Sequence, residues 1–119
     1  MPIDDRRLDE GVQYFNSGKY REAHEVWEGL WLALTPSPEK DLLKGLIMAA
    51  AALHHYKRKE YAGTFKLVAR CSEILQGVKR ISANIDVETL RGDLALFVEE
   101  VKSSREISEE EFPRIKGRE

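Results

Sequence analysis

His24 and Glu28 stand four residues apart in the stretch KYREAHEVWEGLW, with Trp31 one turn further on. On a helix that turns ~100° per residue, positions i and i+4 are surface neighbours, so this imidazole and carboxylate can touch beside an aromatic wall. A carboxylate that fixes the tautomer and orientation of an imidazole prepares it as a general base or as a metal ligand. A second source of imidazole lies at ALHHYK, where His54 falls in line with Leu43, Ile47 and Ala50, and His55 falls on a more polar side. If the two helices pack as an antiparallel pair, His24 and Glu28 converge with His54. Such a His/Glu/His set suits a divalent transition metal such as zinc, iron or nickel. The candidate site is therefore His24 as base or ligand, Glu28 as orienting partner or co-ligand, His54 as second ligand or acid, and Trp31 as pocket wall. Tyr20 and Glu25 stand beside them as candidate binding residues. The plainer alternative is a structural His–Glu hydrogen bond at the margin of a core, since H-x-x-x-E without a contiguous H-E-x-x-H is a weak pattern.

These residues need helices to position them, and the chain reads as helix almost throughout. Leu8, Val12 and Phe15 make one stripe from about Asp4 to Ser17, and Gly18 is a stop. A second helix is expected from about Tyr20 to Leu34, with Ala23, Val26, Trp27 and Leu30 inward and Glu22 and Glu25 mainly outward. Pro36 breaks the chain, and Ser37 followed by Pro38 is a cap-and-first-turn signature. The helix from Glu39 to about Arg58 is apolar over more than half its circumference, which places it at the centre of a bundle. A fourth helix is expected from about Tyr61 to Val78, and a fifth from Asp86, as N-cap, to about Ser103. No run alternates with period two over strand length, so no sheet is expected. GKYREA and KEYAGT begin corresponding helices, with Tyr20 and Tyr61 41 residues apart. The fold class is thus all-α: a compact bundle of about five helices, built from two tandem helical hairpins plus a closing helix. Residues 1–103 form the expected domain, and 104–119 a charged tail that is either clipped back onto it by Ile107, Phe112 and Ile115 or mobile.

Composition narrows the partners. With 119 residues, one domain can bury a core unaided. Net charge is −2, so no global field recruits nucleic acid or a membrane surface. The longest apolar run, Leu46 to Leu53, is too short to span a bilayer, and the first residues lack a signal-peptide core. The single cysteine, Cys71, cannot form an internal disulfide, which fits a reducing cytoplasm.

Two resemblances attach to these residues. Gly11, Tyr14, Gly18, Tyr20, Ala23 and Trp27, with Pro36 near the end, resemble a tetratricopeptide-type hairpin; the second hairpin departs from it, with Thr64 at the alanine position and no closing proline. The span from about Leu8 to Leu75 more specifically resembles the bacterial and archaeal family called domain of unknown function 309. That family's pattern is F-N-x-G-x-[YF]-x-E-A-H-E-x-x-E, then a tryptophan, then an apolar G-L-I-x-x-A-A-A-L-H helix. Phe15, Asn16, Gly18, Tyr20, Glu22, Ala23, His24, Glu25, Glu28 and Trp31 match it, as do Gly45, Leu46, Ile47 and the run from Ala50 to His54. The following turn keeps Gly63 but lacks the family's Gly-Asn. The resemblance implies a compact all-helical domain and a site at the His-x-x-x-Glu pair, and brings no reaction with it.

Two functions of different class remain. One is an enzyme or metal-binding protein that hydrolyses a small substrate at His24, Glu28 and His54. The other is a non-enzymatic interaction or oligomerisation module, favoured if Leu32, Met48 or Tyr56 present apolar surface. A homodimer is the expected assembly, because four helices scarcely cover so apolar a central one.

Overall fold

Three helix ends close in the same way, and this sets the architecture. The computed structural model describes residues 5–117; Asp4 and the last residues of the tail lie outside that span. Helix α1 (Asp5–Asn16) ends where Gly18 takes φ 78°. There the Lys19 N–H reaches back to the Tyr14 carbonyl and the Gly18 N–H to that of Phe15, which satisfies carbonyls a helix end would leave bare. Helix α3 (Pro38–Lys57) repeats this closure at Lys59, and α5 (Val87–Lys102) at Ser104, each with φ 62°. Each closure reverses the chain within about three residues. The helices that follow at Tyr20 and Tyr61 therefore fold straight back, as α2 (Tyr20–Ala33) and α4 (Tyr61–Gln76).

The starts are set by side chains. Ser37 accepts the Lys40 N–H at 3.2 Å, with Pro38 in the first helical position. Asp86 accepts the Thr89 N–H at 3.0 Å and its hydroxyl at 2.7 Å. Between α4 and α5 one minimal hairpin departs from the expectation of no sheet. Ile81–Ser82 (β1) and Ile85–Asp86 (β2) pair antiparallel, Ile81 opposite Asp86 and Ser82 opposite Ile85. Ala83 and Asn84, at φ 50° and 61°, form the two-residue turn that matches the twist of a hairpin. Two residues per strand give no alternation to read, which is why the periodicity missed it. Even so, the described residues form an all-α bundle of five helices.

Each helix packs chiefly on its sequence neighbours: α1 on α2, α2 on α3, α3 on α4, α4 on α5. As expected, α3 is central, burying Leu42, Leu43, Leu46, Ala49, Ala50, Ala52 and Leu53 between α2 and α4. Gly45 lets α4 approach, for a Cβ there would overlap the Leu75 side chain, and the Cys71 thiol donates to the Gly45 carbonyl at 3.2 Å. Burial pushes that thiol up to about 12, so Cys71 is a small core group and not a nucleophile. Thr64, the residue that departs from the tetratricopeptide pattern, is fully buried with its hydroxyl 3.2 Å from the carbonyls of Ala52 and Glu60. The hydroxyl is satisfied, so the position tolerates it.

Beyond α5 the chain runs extended, through a single 3-10 turn at Glu109–Glu111, back along the stack. Ile107, Phe112 and Ile115 are all buried. This arm joins the first helix to the last elements. Asn16 holds Ile115, and the Asp86 N–H donates to the Lys116 carbonyl at 2.9 Å. Among the described residues, no helix is long and apolar enough to cross a membrane.

Candidate functional site

The strip predicted on α2 is only partly assembled. His24 is half-buried and Glu28 exposed, with Nε2 and Oε2 3.9 Å apart. That is beyond hydrogen-bond length, so Glu28 does not hold the His24 ring, and a surface pair of this kind contributes little. Trp31 faces elsewhere: its ring carries the Lys40 ammonium 4.4 Å from the centroid, and the same ammonium donates to the Leu34 carbonyl at 2.8 Å. Trp31 thereby braces the turn between α2 and α3. Glu25 pairs with Arg21 at 3.2 Å.

His24 and His54 do meet one cleft, of about 260 Å³, between α2 and α3. It is lined by Tyr20, Arg21, His24, Glu25, Ala51, His54 and His55, without Glu28 or Trp31. His54 is held below its ordinary pKa, first by loss of solvent and then by the Arg58 guanidinium and His55. It therefore stays neutral at pH 7 and free to accept a proton. Among the described residues, no group of three or more His, Cys, Asp or Glu side chains is arranged to hold a metal ion, and His24, Glu28 and His54 as placed are not one.

The carboxylate-oriented imidazole is His55, which sequence reasoning set aside. Its Nδ1 lies 3.0 Å from Glu60 Oε1, an oxygen that also takes the Arg58 guanidinium at 3.3 Å. The cause is local. In the closure at Lys59, residues five apart are brought together, and the Glu60 N–H donates to the His55 carbonyl at 2.9 Å. Glu100 and Arg105 meet in the same way beyond α5. Both pairs lock turns.

The arm lies in a groove whose floor is aromatic. Phe112 contacts Tyr20, Tyr56 and Phe97, at ring centroids of 6.4, 5.5 and 5.4 Å. Burial and the neighbouring Glu109 drive the Tyr20 hydroxyl well above the usual phenol range, so it serves as a packed, un-ionised ring. At the far end Asn16 makes a two-point contact with one residue: its Nδ2 donates to the Ile115 carbonyl at 2.9 Å, and its Oδ1 accepts the Ile115 N–H at 2.8 Å. Lys57 pins the acidic part, 2.8 Å from Glu109 and 3.3 Å from the Gly18 carbonyl. Open clefts of about 220 and 190 Å³ run along the arm's two flanks. Elsewhere Leu32 is exposed, whereas Met48 and Tyr56 are packed against the core.

Fold and groove together define a small stack of helical hairpins that carries an extended stretch of polypeptide across the ends of its helices. The chain belongs to the family described as Domain of unknown function (DUF309), whose model matches residues 8–67. It is 31% identical over 81 residues to the uncharacterized protein YpuF of Bacillus subtilis (strain 168), covering 68% of this chain and 47% of that one. It is 27% identical over 107 residues to an uncharacterized protein of Aquifex aeolicus (strain VF5), covering 84% of this chain and 29% of that one. The chain thus spans less than half the length of either relative. The family match takes in Asn16, Tyr20 and Tyr56 of the groove and all three imidazoles of the cleft, His24, His54 and His55.

Proposed function

We propose that this domain is a protein-interaction module whose groove holds an extended segment of polypeptide. The observation that supports this is the contact between the Asn16 amide and both backbone groups of Ile115. A side-chain amide that pairs with a residue's N–H and C=O grips backbone whatever the side chain, while neighbouring pockets choose the side chains. The aromatic floor supplies such a pocket for Phe112, and Lys57 supplies a counter-charge for the acidic stretch before it. Cys71 as a lone buried thiol fits the reducing cytoplasm as the compartment.

The test supplies the segment from outside. A labelled peptide of residues 106–117 should bind saturably to the full chain carrying Phe112→Ala, whose own arm is weakened. Adding Asn16→Ala should weaken that binding about tenfold, the loss of one to two net hydrogen bonds. No binding at millimolar peptide would sink the reading.

A second reading rests on the cleft where His24 and His54 face each other's helices. Neutral His54 would act there as a base, or the two imidazoles would share a divalent metal with solvent, in hydrolysis of a small substrate. A proton NMR titration should place the His54 midpoint below 6.5. The sign for stability follows. A folded value lowered beneath the unfolded one means the unfolded chain binds the proton first, so stability is full above 6.5 and declines as pH falls through that value toward the folded one. His54→Gln should flatten this decline. If zinc leaves the His24 and His54 resonances unmoved, the metal form of this reading fails.

A further inference from the structure

We propose that two copies of this chain exchange arms, each groove receiving the segment from Ile107 to Lys116 of the other copy; this rests on the docking reading above. The segment that leaves α5 is exposed from Ser103 to Glu106 and turns back through one left-handed residue, Ser104 at φ 62°. Serine carries a side chain that this conformation crowds, unlike the glycine at the equivalent closure after α1. The reversal is held by the Ser104 and Arg105 N–H groups on the Val101 and Glu100 carbonyls and by Arg105 between Glu100 and Glu111, and the Ile107 backbone is hydrogen-bonded to the Tyr56 hydroxyl just beyond it. If these open, α5 runs on and carries the arm away from its own groove.

What favours a second copy over an unlike partner is the occupant already there. A foreign segment must displace an arm tethered beside its groove at millimolar effective concentration. A reciprocal exchange restores every contact: Phe112 on its aromatic floor, Ile115 on Asn16 and Glu109 on Lys57, in both halves of the dimer. A cleft of about 420 Å³ opens between the reversal and Tyr56 and Tyr61, which leaves the hinge itself uncovered.

The test is the mass of the full chain by light scattering, from about 10 µM to 1 mM, after refolding at each concentration. A dimer is expected to grow with concentration. Ser104→Gly relieves the closed turn and should weaken dimerisation about tenfold for each hinge. Ser104→Pro, whose ring fixes φ near −65°, cannot keep the turn and should shift the chain to dimer. In the Ser104→Pro chain, whose arm cannot close on its own groove, Phe112→Ala or the milder Asn16→Ala should return the dimer to monomer with the helices intact by circular dichroism. A Ser104→Pro chain that stays monomeric at 1 mM overturns the exchange, and so does a Ser104→Pro dimer indifferent to Phe112→Ala and Asn16→Ala. If the peptide of residues 106–117 still binds in that case, only the exchange has failed. If it does not, the docking reading falls with it.

Discussion

Gly11→Ala should lower the thermal midpoint by roughly 10 °C or more. A methyl group at Gly11 would fall inside the indole of Trp27, the largest side chain among those fully buried. That ring has nowhere to go: Phe15 packs on it at 6.1 Å, and its N–H donates to the Leu8 carbonyl at 3.3 Å. Overpacking costs ~1–3 kcal/mol, and displacing the indole adds the loss of a buried hydrogen bond, ~1–3 kcal/mol more. At several degrees per kcal/mol for a domain of this size, differential scanning calorimetry will resolve the shift. Gly92→Ala is the matched control. Nothing lies within 4 Å of a Cβ there, and the position is an exposed helix interior, so alanine should stabilise by up to ~1 kcal/mol. A Gly11→Ala chain melting within a degree or two of the parent would refute the close packing of α1 on α2.

Phe112→Ala should act more locally but nearly as strongly. The phenyl ring is the only residue of the arm that contacts rings from α2, α3 and α5 at once. Truncating a buried phenylalanine costs ~3–5 kcal/mol where the surroundings cannot collapse. Here the arm has another course: it can detach, which limits the loss to whatever holds the arm as a whole. The expected signature is therefore split. Amides from Ile107 to Lys116 should lose their protection in hydrogen exchange, while those of Leu46, Leu53 and Val68 keep theirs. Uniform loss of protection would mean that the arm is an integral part of the core, and that the groove has no separate existence.

The contrast between these substitutions matches what the sequence made legible. Gly18, Ser37 with Pro38, and Asp86 announce helix ends through bonds to residues within five positions, so local chemistry was enough to place them. The apolar stripe of α3 likewise follows from its own spacing. Periodicity put His24 and Glu28 on one face correctly, but it cannot say what covers that face. In the structure His24 turns to the cleft while Glu28 stays exposed, 3.9 Å from it. His55 reads from the sequence only as a residue of the polar side, because its partner, Glu60, comes into reach only through the left-handed turn at Lys59, which has no glycine to mark it. Asn16 reads as one more polar residue in the last turn of a helix. Its partner lies 99 residues away, a separation that no local pattern reaches.

The shared closure of α1, α3 and α5 also bears on how such a chain can diverge. Because each reversal is built from fixed hydrogen bonds across about three residues, its geometry survives changes of side chain, as glycine, lysine and serine at the left-handed position show. It would not survive a change of length. One inserted residue turns the following helix by ~100° relative to its neighbour, which moves the apolar stripe a quarter-turn out of the core. In these turns related sequences should differ by substitution, and carry their insertions instead in the stretch between α4 and α5, where the chain already runs outside the helices.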